Sequence, residues 1–226
     1  MSAPLELPLA GERLQLLAGR AVFLPERATL LVADAHVGKA VSFRKLGVPV
    51  PHGTTGETLE RLGRLVDATA ARRVIFLGDF LHSAHSHAAD TLGALMRWRD
   101  ARKGLVLTLV RGNHDLRAGD PPARIAIDAV DEPLRLGGLA LCHHPQAVAG
   151  AYVLAGHWHP CVSVGGRAND RLRLPCYWFG SEAARPVGVL PAFGAFTGMH
   201  PIERGPGDRV FVVAEQRVAE LSGASR

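Results

Sequence analysis

The sequence predicts an α/β fold, and a sheet sandwich flanked by helices fits it. Three observations lead there. Short, continuously apolar runs recur along the chain, helical periodicities separate the first three of them, and the second half is richer in strand signals than the first. Strand–helix–strand alternation argues for parallel strands, and runs without apolar–polar alternation argue for strands covered on both faces.

The strands expected are Ala28–Ala33 (ATLLVA), Arg73–Leu77 (RVIFL), Leu105–Val110 (LVLTLV), Leu139–Cys142 (LALC) and Tyr152–Ala155 (YVLA). Between the first two, Leu59, Leu62 and Val66 recur at helical spacing, with Thr55 or Thr58 available as a cap. Between the second and third, His87 to Arg102 carries Leu92, Leu95 and Met96 on one face. Helix signals then fade into a stretch rich in glycine, proline and aromatics, and RVFVVAEQRVAEL reads as one further strand. The segments Val48–Gly53 and Gly119–Pro122 read as loops, and Ser222–Arg226 as a frayed end. With no internal repeat and no linker, residues 1–226 read as a single domain.

Composition narrows the function. At 226 residues, with 47% hydrophobic and 21% charged, the chain can bury a core and is not of a disordered type. No apolar run reaches the ~18–20 residues that span a bilayer, and the start has no signal-peptide pattern. Cys142, Cys161 and Cys176 form no CxxC pair, so structural zinc, thioredoxin-type and disulfide-scaffold readings fail, and a cytoplasmic location is expected. The net charge is +5, and of 26 basic residues only Lys39, Lys45 and Lys103 are lysines. Arginine forks suit phosphate, so a phosphate-bearing partner or simple compositional bias would each explain that usage.

The expected strands end in metal-binding residue types. In order they run into Asp34-Ala35-His36, Gly78-Asp79, Gly112-Asn113-His114-Asp115, His143-His144 and Gly156-His157-Trp158-His159. Ends of parallel strands meet on one rim of a sheet. A lone Asp there is an ordinary turn residue; five such blocks in succession are not. The donors are carboxylate, imidazole and one amide, without thiolate, a set that suits Mn²⁺, Fe²⁺ or Zn²⁺. Seven ligands are too many for one ion and fit two ions sharing a carboxylate, the clamp used for in-line phosphoryl displacement.

D-x-H, GD, GNHD, H and GHxH in this order resemble the calcineurin-like metallophosphoesterase superfamily. The flanks DAHVGKAVSFRKLGVPVPHG and LPAFGAFTG resemble, within it, the ligase-associated DNA damage response endonuclease family PdeM. The resemblance implies a metallophosphoesterase-type β-sandwich of two mixed sheets flanked by α-helices, with metals at the carboxyl ends of the strands. It assigns Asp34, His36, Asp79 and His159 to a first metal, and Asp79, Asn113, His143 and His157 to a second, with His144 an alternative to His143. It implies manganese as the usual ion and single-stranded or unpaired DNA as substrate. Bacterial DNA repair, beside an ATP-dependent DNA ligase and a repair helicase or exonuclease, is the implied setting. A hydroxide shared by the ions would be the nucleophile, with His114 beside the leaving oxygen, oriented by Asp115.

Around this set, His82 either faces the site and touches substrate phosphate or is a solvated loop residue, and Lys39 and Arg44 either grip flanking phosphates or are solvated. His85 and His87 read as surface residues, and His52 and His200 receive no role. Arg111 could pair with an acid, Trp158 could stack a base, and Trp178 reads as core. Two other functions compete: the same chemistry on a small phosphodiester or nucleotide, and a binding module on an inactive phosphoesterase fold. The complete ligand set argues against the last.

Overall fold

The computed structural model describes residues 3–45, 47–50, 53–165 and 171–221. His52 and the expected frayed end, Ser222–Arg226, lie outside the described residues, as does part of the expected loop 48–53. The first sheet has seven strands in chain order: β1 (Leu5–Leu9), β2 (Glu12–Leu17), β3 (Ala21–Leu24), β4 (Thr29–Val32), β5 (Arg73–Leu77), β6 (Val106–Val110) and β7 (Ile127–Val130). β1 to β4 pair antiparallel through tight turns, and β4 to β7 pair parallel. Parallel neighbours need long crossovers. Helices α1 (Lys39–Lys45) and α2 (Thr54–Thr69) lie between β4 and β5, α3 (Ala89–Asp100) between β5 and β6, and α4 (Asn113–Ala118) between β6 and β7.

The second sheet contains β8 (Leu134–Leu136), β9 (Leu139–Leu141), β10 (Tyr152–Ala155), β11 (Pro160–Gly165), β12 (Arg171–Phe179), β13 (Val187–Val189), β14 (His200–Pro201), β15 (Arg209–Ala214) and β16 (Arg217–Glu220). Its order is β14-β11-β12-β13-β10-β9-β8, and β12 also pairs with β15, which pairs with β16. β9, β10 and β13 run parallel. The segment expected as one last strand is thus a hairpin, turned at Glu215 with φ 51°.

Successive strand residues face opposite ways, and that alternation builds the layers. Leu30, Val32, Val74, Phe76, Leu107 and Leu109 pack against Leu59, Leu62 and Leu65 of α2 and Leu95 and Trp98 of α3. Leu31, Ile75, Leu77 and Val110 face the other way and meet Leu141, Leu154, Tyr177 and Phe211 of the second sheet. The outer face of the second sheet buries Cys142, Val153, Cys176, Trp178 and Val212 in a cluster with no helical residue. The flanking helices therefore cover one face of the sandwich. No helix among the described residues is long and apolar enough to cross a membrane.

The cap expected from Thr55 or Thr58 does not form. Gly53 occupies the N-cap position of α2 without a side-chain hydrogen bond. The Thr58 hydroxyl instead donates to the Thr54 carbonyl (2.9 Å) and accepts the Ala195 N–H (3.2 Å), tying the helix to the loop after β13.

Candidate metal centre

Each expected ligand block lies just beyond or beside a strand end on one rim. Asp34 and His36 follow β4, Asp79 follows β5, Asn113 begins α4 after β6, His143 follows β9, and His157 and His159 lie between β10 and β11. Main-chain bonds hold the blocks in register: His36 N–H donates to the Asp79 carbonyl (2.8 Å), and Gly156 N–H to the His143 carbonyl (3.1 Å).

The backbone here is locally unfavourable. Asp34, His36, Asp79, His157 and His159 have φ of 53°, 44°, 50°, 70° and 48°. Left-handed φ costs an L-residue roughly 1–2 kcal/mol, and strain of this kind collects at functional sites. The glycines beside the ligands leave room for them. A Cβ on Gly78 would lie 2.2 Å from His143 Nδ1, and one on Gly112 would lie 2.4 Å from Asp79 Oδ1.

The side chains fall into two groups that meet at Asp79. In the first, His36 Nε2 lies 3.4 Å from His159 Nε2, His159 Nε2 lies 3.4 Å from Asp34 Oδ1, and His36 Nε2 lies 3.9 Å from Asp79 Oδ2. In the second, His143 Nε2 lies 3.0 Å from Asn113 Oδ1, 3.1 Å from His157 Nδ1 and 3.4 Å from Asp79 Oδ1. Asp34, Asp79 and His143 are almost completely buried.

Burial, followed by the Lys39 charge, pushes the His36 imidazolium well below its ordinary range, and burial is also the first cause of the lowering at His143 and His157. Burial pushes the Asp79 carboxyl up, against the opposing Nα–H of His114. Imidazole nitrogens, carboxylate oxygens and one amide oxygen thus converge within 3.0–3.9 Å of one another. This donor set fits a divalent cation, and Asp34, His36 and His159 keep their ligand atoms within 4.8 Å of one another, as do Asp34, Asp79 and His143.

His143 and His144 keep ligand atoms within 4.8 Å of each other and of His157, but differ in burial and in partners. His143 is fully buried, and its Nδ1–H donates to the Leu77 carbonyl (3.1 Å), which leaves the Nε2 lone pair facing the group. His144 is 42% exposed and bonds through Nδ1 to Glu132 Oε1 (2.8 Å). Glu132 Oε2 also accepts the backbone N–H of His143 (2.6 Å) and of His144 (3.0 Å). Sequence reasoning did not find Glu132, since nothing in DEP marks it.

His114 stands beside the groups, 30% exposed, with Nε2 3.9 Å from Asp79 Oδ2. Its expected orientation by Asp115 is corrected. His114 Nδ1–H donates to the His82 carbonyl (2.6 Å), while the buried Asp115 carboxylate accepts the N–H of Leu81 (2.9 Å) and of Gly112 (3.0 Å). Asp115 is therefore a positioning residue that fixes the start of α4 to the segment after β5. Burial pushes its carboxyl up to about 6 despite these bonds.

His82 faces the site. Its ring stacks on His114 (4.7 Å between centroids), and its Nδ1 is 3.4 Å from His36 Nδ1. Burial, then Lys39, pushes it down to about 4. Lys39, half-buried, is close enough to Asp34 and Asp79 to feel both carboxylates. Arg44 lies exposed in the last turn of α1. Trp158 is 40% exposed, whereas Trp178 is buried and donates Nε1–H to Asp208. Arg111 pairs with Asp120 and Asp131. His85 is exposed, and half-buried His87 donates Nε2–H to the Ala118 carbonyl.

No protein-family model and no curated protein matches the chain. Among solved structures, the nuclease MPE of Pseudomonas putida is 42% identical over 96% of this chain and 100% of its own, with a TM-score of 0.83. The phosphoesterase Yfce from E. coli is 13% identical over 85% of this chain and 97% of its own, with a TM-score of 0.39, a likeness too low to bear on function.

Proposed function

The chain belongs to the calcineurin-like metallophosphoesterase superfamily, and from that premise we propose that it is a dinuclear metal-dependent phosphodiesterase. Its proposed role is to cut single-stranded or unpaired DNA in bacterial DNA repair. The observation that carries the dinuclear reading is the position of Asp79 between two donor groups, with Oδ2 toward His36 and Oδ1 toward His143. Asp34, His36, Asp79 and His159 would hold one ion, and Asp79, Asn113, His143 and His157 the other. Manganese suits this oxygen and nitrogen set, as do Fe²⁺ and Zn²⁺. When bound, the ions supply Lewis acidity, lowering the pKa of water and neutralising charge on phosphoryl oxygens.

The reaction is hydrolysis of one P–O ester bond. A water oxygen joins phosphorus, the opposite P–O bond breaks, and the departing oxygen takes a proton. His114 would hold that proton at Nε2; the donation of its Nδ1–H to the His82 carbonyl supports that reading. The stack on His82 keeps the ring in that plane, and partial exposure lets a substrate reach it. Lys39 adds positive charge beside the two carboxylates where a phosphate would approach. Asp115 acts only through the backbone that carries Asn113 and His114.

Support for a polymeric substrate comes from the Pseudomonas putida relative, a nuclease 42% identical over 96% of this chain.

The test is metal-reconstituted cleavage of a labelled single-stranded DNA circle, with duplex DNA and bis-p-nitrophenyl phosphate alongside. Cutting of the circle with the duplex spared is expected. Hydrolysis of the small ester with the circle intact would remove the DNA assignment and leave the metal chemistry.

A further inference from the structure

We propose that the large cavity between the β2–β3 turn, α2 and β12 is a second anion site, one that takes a phosphate-bearing nucleotide unit. The cavity measures about 1100 Å³, and none of the seven metal-site residues lines it. Four arginines do: Arg20 from the turn, Arg61 and Arg64 one helical turn apart on α2, and Arg173 from β12. The lining between them includes apolar Phe23, Leu65, Leu174 and Met199 beside polar Gln15 and Thr69.

Three exposed arginines of this chain are held tightly by acids: Arg13 meets Glu26, Arg27 meets Glu12, and Arg209 meets Glu220, at 2.7, 2.6 and 2.8 Å. The cavity arginines are not. Among the described residues, Arg20, Arg61 and Arg173 have no carboxylate within 4 Å, and Arg64 has only an exposed 4.0 Å approach to Glu60. One acid, the exposed Glu215, lines the cavity, and Glu57 acts on Arg20 and Arg61 from the preceding turn of α2.

Arg61 is held in place without being neutralised. Its guanidinium lies 4.4 Å over the Phe193 ring and donates Nη2–H to the Phe193 carbonyl, while Nε is buried without a hydrogen-bond partner. Burial, and then the neighbouring Arg20 charge, lower its pKa to about 10. Arg20 itself sits at φ 65°, a conformation that glycine or asparagine would adopt at less cost. A partly desolvated cluster of like charges, reached through a strained arginine, costs free energy in the empty protein. Two negative phosphate oxygens on such forks would offset it, since guanidinium binds phosphate bidentately. The apolar part of the lining between the forks suits the face of a base or sugar.

The phosphate can come from a free nucleotide or from one unit of a bound strand, and the experiment separates the two. Fluorescence anisotropy would compare a labelled oligothymidylate and a labelled ADP on the full chain in excess chelator, where the strand is not cut, at constant ionic strength. Wild type is compared with Arg64→Glu/Arg173→Glu, both exposed positions. The expected result is binding weakened tenfold or more by the double charge reversal. Weakening for both probes assigns free nucleotides as occupants, and weakening for the oligonucleotide alone assigns a unit of the strand. Equal binding by wild type and a folded variant overturns the proposal, as does full displacement by sulfate at matched ionic strength. Should the variant not fold, cross-linking of wild type with 8-azido-ADP decides. Adducts on the peptides holding Arg20 or Arg173 support the site, and adducts confined to the metal rim refute it.

Discussion

Replacing Asp115 with alanine separates a residue that holds the backbone from one that assists chemistry. Its carboxylate accepts two buried N–H groups, from Leu81 at 2.9 Å and Gly112 at 3.0 Å. Alanine would strand both, and each unsatisfied buried donor costs about 1–3 kcal/mol, so Asp115→Ala should lose about 2–6 kcal/mol of stability. Asp115→Asn keeps one acceptor oxygen and should lose about 1–3 kcal/mol on the same basis. Urea unfolding in excess chelator measures this without a contribution from metal binding. The second readout is turnover on esters with good and poor leaving groups. His114→Ala should retain metal and fold while losing turnover selectively on the poor leaving group. The Asp115 variants should lose turnover on both alike. A stability loss below about 1 kcal/mol for Asp115→Ala, or a leaving-group selectivity matching that of His114→Ala, would refute the reasoning.

Four further outcomes follow from the geometry and from burial. His143→Ala should lose one equivalent of bound metal by elemental analysis, and nearly all turnover. His144→Ala should keep the full metal content with turnover within about tenfold of wild type, because its ring is turned toward Glu132. Gly112→Ala places a Cβ 2.4 Å from Asp79 Oδ1 and 2.5 Å from Asp79 N, so it should cost about 1–3 kcal/mol by urea unfolding and weaken metal binding in a calorimetric titration. Burial pushes the Cys142 and Cys176 thiols up to about 11 and about 12 and raises Cys161 as well, so none should react with Ellman's reagent at pH 8 until urea exposes all three.

The strands that carry the rim were legible because each is a continuous apolar run closed by a polar block, and burial on both faces permits no alternation. Helices α2 and α3 were legible from their apolar spacing. The final hairpin was not, since its turn places Glu215 at positive φ without the glycine or asparagine that usually marks one. The pairing of His114 with Asp115 misled for a helical reason. Adjacent residues on α4 project about 100° apart, so one reaches the rim while the other turns back under the helix start. The true partner of His114 is a main-chain carbonyl, which no side-chain pattern reveals. The arginine cavity was hidden because residues 20, 61, 64 and 173 form no motif and meet only through the packing of two sheets and a helix.

The first sheet follows chain order from β1 to β7. A ribosome releasing this chain would therefore complete that sheet before any strand of the second emerged. In the interval Leu14, Leu16, Leu31, Ile75 and Val110 would lack the second-sheet residues that cover them. Asp34, His36, Asp79 and Asn113 would already be present without His143, His157 and His159. At that stage the nascent protein would carry an uncovered apolar face and four of the seven proposed ligands. Translation speed and chaperone capture would both act on it.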